Sequence, residues 1–266
     1  MKRVVVVGGG PAGLEAARVA AERGHRVVLL EKRPVLGGQI APYSKASGRE
    51  DYGAIVLWLE GQLKKLGVEV RLGVEATAAL VLREKPDAVI VATGSSPTMP
   101  DIPGAEAAPL VDTEDVLTRE VDWGDNVLII DQDAHHQGPA VAEFLAEQGR
   151  KVEIISDLFS IGEDIDISNK PLVYQRLLSR GVTLSPNTAV KEIHEERVIV
   201  SNVYSEEERA IDGVTTIVYA GLRKAEDSLY NELKGRVPQL YLVGDAMAPR
   251  KVHDAMLEGT RAGRKI

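Results

Sequence analysis

Residues 4–13 read Val4-Val5-Val6-Val7-Gly8-Gly9-Gly10-Pro11-Ala12-Gly13, an apolar strand that runs straight into a glycine turn and then into a helical pattern. This GxGxxG arrangement limits the fold more tightly than any other stretch. Gly8 permits the tight turn, Gly10 lets a pyrophosphate approach the backbone, and Gly13 lets the helix pack close to the strand. The helix amino terminus then offers unpaired N–H groups and the positive end of its dipole to phosphate. Glu31 ends the next apolar run 18 residues after Gly13, where a carboxylate can accept hydrogen bonds from an adenosine ribose. A glycine turn that binds nothing has no need of strand, glycines, helix and acid together in register. The expectation is an adenine dinucleotide site that uses Gly8, Gly10, Pro11, Ala12, Gly13, Glu31 and the neighbouring Lys32.

Strand-like and helix-like runs alternate along the chain, which predicts an α/β fold built on parallel sheets. Strands are expected near 3–7, 27–31, 68–71, 88–92, 126–130, 151–155, 198–203, 214–219 and 239–243, and helices near 12–23, 51–66, 139–148, 169–180, 226–234 and 251–264. Residues 95–104 carry three prolines and no periodicity, and read as a crossover between domains. Beyond it the pattern restarts. Gly24-His25-Arg26-Val27-Val28-Leu29-Leu30-Glu31 is echoed by Gly149-Arg150-Lys151-Val152-Glu153-Ile154-Ile155-Ser156. Two Rossmann-like domains are therefore expected, the second inserted in the first: residues 1–95 plus 225–266 form one, 110–224 the other, and 96–109 link them.

Composition narrows the partners. The chain has 266 residues, 44% hydrophobic and 27% charged, with a net charge of -8, and its Lys and Arg do not cluster, which argues against nucleic acid. Its longest apolar runs are of strand length and the amino terminus enters a strand at once, so neither a membrane span nor a signal peptide is expected and a cytoplasmic location is the default. Cysteine is absent, which excludes disulfides, thiolate metal sites, Cys-ligated clusters and a redox dithiol. Electron chemistry would need a bound organic cofactor.

Further features carry a family resemblance: Gly37-Gly38-Gln39 shortly after the acid, Ala92-Thr93-Gly94 at the end of a strand, Val243-Gly244-Asp245-Ala246 before the last helix, and Pro249-Arg250 with Asp254-Ala255 at its start. Together they resemble the carboxy-terminal module of the trimethylamine dehydrogenase and 2,4-dienoyl-CoA reductase family, whose members join an old yellow enzyme-like barrel to a module of glutathione reductase type. The resemblance spans essentially the whole chain. It implies cofactor contacts by Gly38, Gln39, Ala92, Thr93, Gly94, Gly244, Asp245 and Arg250, with Asp245 on the ribityl chain of FAD. A plain helix N-cap is the other reading of Asp245, and a helix-end charge that of Arg250. Long members also carry an FMN barrel and a Cys-rich cluster segment. The implied partner here is thus a barrel-type FMN flavoprotein or an electron-transfer protein, whether the chain is a separate subunit or a piece of a longer enzyme.

A second glycine loop is expected after the run Val127-Leu128-Ile129-Ile130, but the sequence there is Asp131-Gln132-Asp133-Ala134-His135-His136-Gln137-Gly138. In register, Asp131 stands against Gly8, Asp133 against Gly10, and Gly138 alone matches the last glycine, in a loop two residues longer. A carboxylate about 4–6 Å from a pyrophosphate costs roughly 1 kcal/mol or more. Ser156 replaces the ribose-binding acid, and no arginine pair suits a 2′-phosphate. NAD(P) binding is therefore doubtful. His135 and His136 suggest a metal, although adjacent ligands are unusual and filling of a disused nucleotide loop is the plainer reading. Trp58 reads as packing, and Glu206 to Glu208 as a solvated turn. Three functions stay open: a FAD-binding electron-transfer module without a second nucleotide, a non-catalytic module that holds ADP, as trimethylamine dehydrogenase-like members do, and an NAD(P)H-dependent flavin reductase. No catalytic acid or base can be nominated.

Overall fold

The computed structural model describes residues 1–119 and 122–266. Parallel strands β1 (Arg3–Val7), β2 (Arg26–Glu31), β3 (Glu69–Leu72), β4 (Ala88–Val91), β5 (Leu110–Asp112), β6 (Asn126–Asp131), β7 (Lys151–Ile155), β8 (Thr183–Ser185), β9 (Thr216–Ala220) and β10 (Gln239–Leu242) form two sheets. Helices α1 (Pro11–Glu22), α2 (Asp51–Lys65), α3 (Gln137–Glu147), α4 (Lys170–Ser179) and α5 (Val252–Lys265) are the longer ones. The chain divides into two compact units, one of Met1–Ser44, Arg49–Ser96 and Arg223–Ile266, the other of Lys45–Gly48 and Pro97–Leu222.

In the first unit the strand order is β10-β4-β1-β2-β3, all parallel. Val4 to Val7 are buried along β1 because a central parallel strand is covered on both faces. Alternate residues feed two cores: Val4 and Val6 pack with Leu14, Leu29 and Ile90, while Val5 and Val7 pack with Val28, Leu30 and Val81. α1 lies close against α5, because a Cβ at Gly259 would stand 2.4 Å from the Ala12 carbonyl oxygen. The sheet reverses its winding between β1 and β4, which puts the ligand crevice of such a fold at their carboxyl ends.

The second unit repeats the plan with the order β5-β9-β6-β7-β8, β9 taking the place of β4. An antiparallel sheet of Thr188–Ile193, Arg197–Asn202 and Glu208–Asp212 is added to it. The fold is thus α/β, two Rossmann-like units of glutathione reductase type with the second inserted in the first.

Several expectations need correction. The crossover at 96–109 carries local structure: Ser95–Pro97 pairs with Arg223–Ala225, and Ala105–Ala107 makes a 3-10 turn. The last helix begins at Val252, so Pro249 and Arg250 precede it. Trp58 is half-exposed, its ring 5.5 Å from the Arg18 guanidinium. Among the described residues no helix is long and apolar enough to cross a membrane.

Candidate functional site

The first loop is shaped by close backbone contacts at the carboxyl ends of β1, β2 and β4. Gly8 has φ +106°, and a Cβ there would lie 2.1 Å from the Ala92 carbonyl oxygen. A Cβ on Gly13 would lie 1.9 Å from the Gly8 carbonyl oxygen, so only glycine lets α1 start this near β1. Gly10 is the N-cap of α1 and Pro11 its first residue. Ala12 and Gly13 therefore carry N–H groups that have no acceptor within the helix. A Cβ on Gly10 would meet nothing nearer than the Gly38 Cα, at 3.8 Å, so space is left open beside it.

Glu31, only 6% exposed, turns back on this loop. Its Oε2 accepts from the Gly9 N–H at 2.5 Å and its Oε1 from the Arg33 N–H at 2.7 Å. Each carboxylate oxygen keeps a second lone pair for a sugar hydroxyl. The Gly37 N–H donates to the Gly9 carbonyl at 2.8 Å, which lays the Gly37-Gly38 backbone alongside the loop. Lys32 is exposed.

A polar knot lies farther along the same edge. Asp245 Oδ2 accepts from Gln39 Nε2 and from Ser95 Oγ, both at 3.1 Å, and its Oδ1 accepts from the Arg250 N–H at 3.2 Å. Arg223 donates through Nε to Ser95 Oγ and through Nη2 to the Ser95 carbonyl, each at 3.0 Å. Gly244 is pressed on Ala12, and its N–H donates to Glu258 Oε2 at 2.7 Å. The Arg250 guanidinium is turned to Glu258. Thr93 Oγ1 donates to the Glu226 carbonyl, and the Gly94 carbonyl accepts from the Glu226 N–H at 3.0 Å. Asp245 caps no helix with its side chain; it lies in the 3-10 turn Gly244–Ala246, and the N-cap of α5 is Lys251. The structure thus gathers Gln39, Asp245 and Gly244 near the loop and commits Arg250 to an ion pair. Ser95, Arg223 and Glu258 were missed; Ser95 follows Ala92-Thr93-Gly94 directly, whereas nothing in the sequence marks the other two.

The second loop has the same frame and different contents. A Cβ on Gly138 would meet Asp131 Oδ1 at 2.9 Å and Ala220 Cβ at 3.3 Å, just as one on Gly13 meets Gly8 and Ala92 Cβ. The Asp131 carboxyl therefore lies against the start of α3, where the first loop has the Gly8 backbone. It is 0% exposed, its Oδ2 accepts from the Gly162 N–H at 2.9 Å, and its Oδ1 has no hydrogen-bond partner among the described residues. Burial pushes its pKa up to about 7; the Gly162 N–H pulls the other way, and the negative charge of Asp133 adds to the rise. The segment around Gly162 is held across the loop. The Asp164 N–H donates to the Ala134 carbonyl at 2.8 Å, and Tyr174 donates to the Ile161 carbonyl at 3.1 Å. Ser156 donates to the Asp131 carbonyl at 2.7 Å, so the residue at the ribose position closes the loop from below. His136 is the backbone N-cap of α3, and His135 Nδ1 is buried with no hydrogen-bond partner among the described residues. Among the described residues no group of three or more His, Asp or Glu is placed to hold a metal ion.

Fold and loops define a two-unit protein of dinucleotide-binding fold with one glycine loop and a repeat of it that carries a buried carboxyl. The chain belongs to the pyridine nucleotide-disulphide oxidoreductase family, whose model matches residues 2–259. It is 34% identical to N,N-dimethylglycine/sarcosine dehydrogenase of Chromohalobacter salexigens, with 98% of this chain and 43% of that protein covered. 2-Naphthoyl-CoA reductase superposes on it with a TM-score of 0.94 at 31% identity, over 100% of this chain and 40% of that one. Thioredoxin reductase of Lactococcus lactis shares the fold, with a TM-score of 0.74 at 19% identity over 100% and 97% of the two chains. The chain spans less than half the length of the first two.

Proposed function

We propose that the chain is the FAD-binding electron-transfer module of a multi-component flavin oxidoreductase and exchanges electrons with a partner flavoprotein. The observation that carries this reading is the contrast between the two loops, which are related in register yet chemically opposite. In the first, Gly10, Ala12 and Gly13 present backbone to a pyrophosphate, Glu31 accepts from a ribose, and Asp245, aligned by Gln39 and Ser95, accepts from a sugar hydroxyl of the ribityl chain. In the second, carboxylates stand in register with Gly8 and Gly10 and the Asp131 carboxyl is buried against the start of α3, which supports a loop that disfavours pyridine nucleotide. FAD, when bound, supplies the electron carrier that a chain without cysteine lacks. The dehydrogenase and the CoA reductase above, both more than twice as long, support a partner on the far side of that exchange, which we assign to a barrel-type FMN protein or domain.

Reconstitution tests this directly. Protein mixed with FAD and desalted is expected to retain flavin absorbance, and its melting temperature to rise more with FAD than with ADP at equal concentration. A response to FAD no larger than that to ADP favours a module that only holds ADP, because the adenosine half makes the same contacts in both.

A further inference from the structure

The glycine loop supplies N–H groups, but a pyrophosphate carries about two negative charges and none of residues 8–13 is cationic. Lys32, which follows the acid, is exposed. Arg33 is placed differently. Its backbone is pinned on both sides: the N–H donates to Glu31 Oε1 at 2.7 Å, and the carbonyl accepts from the Gly73 N–H at 3.1 Å. Its part-buried side chain runs back toward the loop and brings Nη1 within 3.5 Å of the Gly38 carbonyl oxygen, too long for a strong hydrogen bond. Gly38 in turn faces Gly10 so closely that a Cβ on it would stand 2.9 Å from the Gly10 Cα. The guanidinium therefore lies beside Gly38, whose backbone borders the open space at Gly10.

We infer that Arg33 is the phosphate anchor of the first loop, the charge that makes the site select diphosphate-bearing adenine nucleotides over AMP. The inference rests on the nucleotide reading of that loop and adds to it a residue that neither the motif nor the resemblance marks. The Glu31 carboxylate orients both ends of the device, since one oxygen holds the Gly9 N–H and the other the Arg33 N–H. A planar guanidinium can then take two phosphate oxygens at once, which an ammonium cannot.

Titration of the parent, Arg33→Gln, Arg33→Lys and Lys32→Gln with ADP, FAD and AMP at several salt concentrations tests this. Arg33→Gln is expected to weaken ADP and FAD by about tenfold to a hundredfold, to affect AMP less, and to flatten the salt dependence, with an unliganded melting temperature equal to the parent's. Arg33→Lys should recover part of the loss, and Lys32→Gln should lose less than Arg33→Gln. An Arg33→Gln protein that binds ADP within twofold of the parent, with the same salt dependence, overturns the inference while leaving the nucleotide reading intact. A loss confined to Lys32→Gln overturns it too. A parent that takes up none of the three ligands overturns the nucleotide reading, and this inference with it.

Discussion

Replacing Asp131 by asparagine is expected to stabilise the protein above neutral pH and to leave its stability nearly unchanged at about pH 4, with the gain growing between the two. The carboxyl is fully buried, and burial lifts its pKa from 3.8 to about 7. The folded state therefore binds this proton more tightly than the unfolded state does. The group's favourable contribution is complete below about pH 4 and is lost as pH rises through about 7, where the folded protein must carry a buried charge. A rise from 3.8 to about 7 corresponds to about 4 kcal/mol as an upper limit. Relaxation of the loop lowers that, and a gain of roughly 1–3 kcal/mol is expected at pH 8. Asparagine keeps the acceptor that faces the Gly162 N–H and the volume against Gly138, without the charge that Asp133 and Asp157 oppose. Urea unfolding of both proteins from pH 4 to pH 8 checks this. An asparagine variant less stable than the parent across the whole range would mean that the carboxylate, and not its neutral form, holds the Gly162 segment in place.

The second large effect separates binding from folding at the first loop. Gly10→Ala is expected to abolish tight nucleotide binding, a loss of a hundredfold or more, while the fold stays as stable as the parent. Gly10 has φ −78°, open to any residue, and an added methyl meets only the Gly38 Cα, at 3.8 Å, an ordinary contact. The methyl stands instead in the space that a pyrophosphate needs against the backbone. Gly13→Ala should differ, because its methyl is driven to 1.9 Å from the Gly8 carbonyl oxygen and α1 must retreat from β1. Overpacking of that kind costs about 1–3 kcal/mol, and binding falls with stability. Calorimetric titration with ADP beside a thermal melt distinguishes the pair. Equal affinity in Gly10→Ala and the parent would place the phosphates elsewhere.

How far the sequence carried the account can be followed at particular residues. Gly8, Gly13 and Glu31 were legible because their chemistry is local: a turn, a helix start and a strand end fall at fixed spacing. The echo between residues 24–31 and 149–156 exposed the repeat, and through it the place of Asp131 opposite Gly8. The segment that closes over Asp131 was not legible, since the bond from Gly162 joins residues 31 apart in a loop without periodicity. Strands of three residues, such as β5 and β8, are too short to show alternation, and the six-residue helices Ala78–Arg83 and Thr113–Thr118 complete less than two turns. Arg33 and Arg223 act through long side chains whose direction only the folded backbone decides. Trp58 was read as packing because an indole is mostly apolar, yet its face is exposed with a guanidinium beside it.

The central claim is that one loop takes a flavin nucleotide and its repeat takes none. Rapid anaerobic mixing of the FAD-loaded protein with NADH, and separately with NADPH, tests it most directly, with the flavin absorbance followed from milliseconds to minutes. The account predicts that the flavin stays oxidised with either nucleotide and that neither is retained on desalting. Bleaching within seconds, with one equivalent of pyridine nucleotide bound, would contradict it and make the chain a pyridine-nucleotide-dependent reductase.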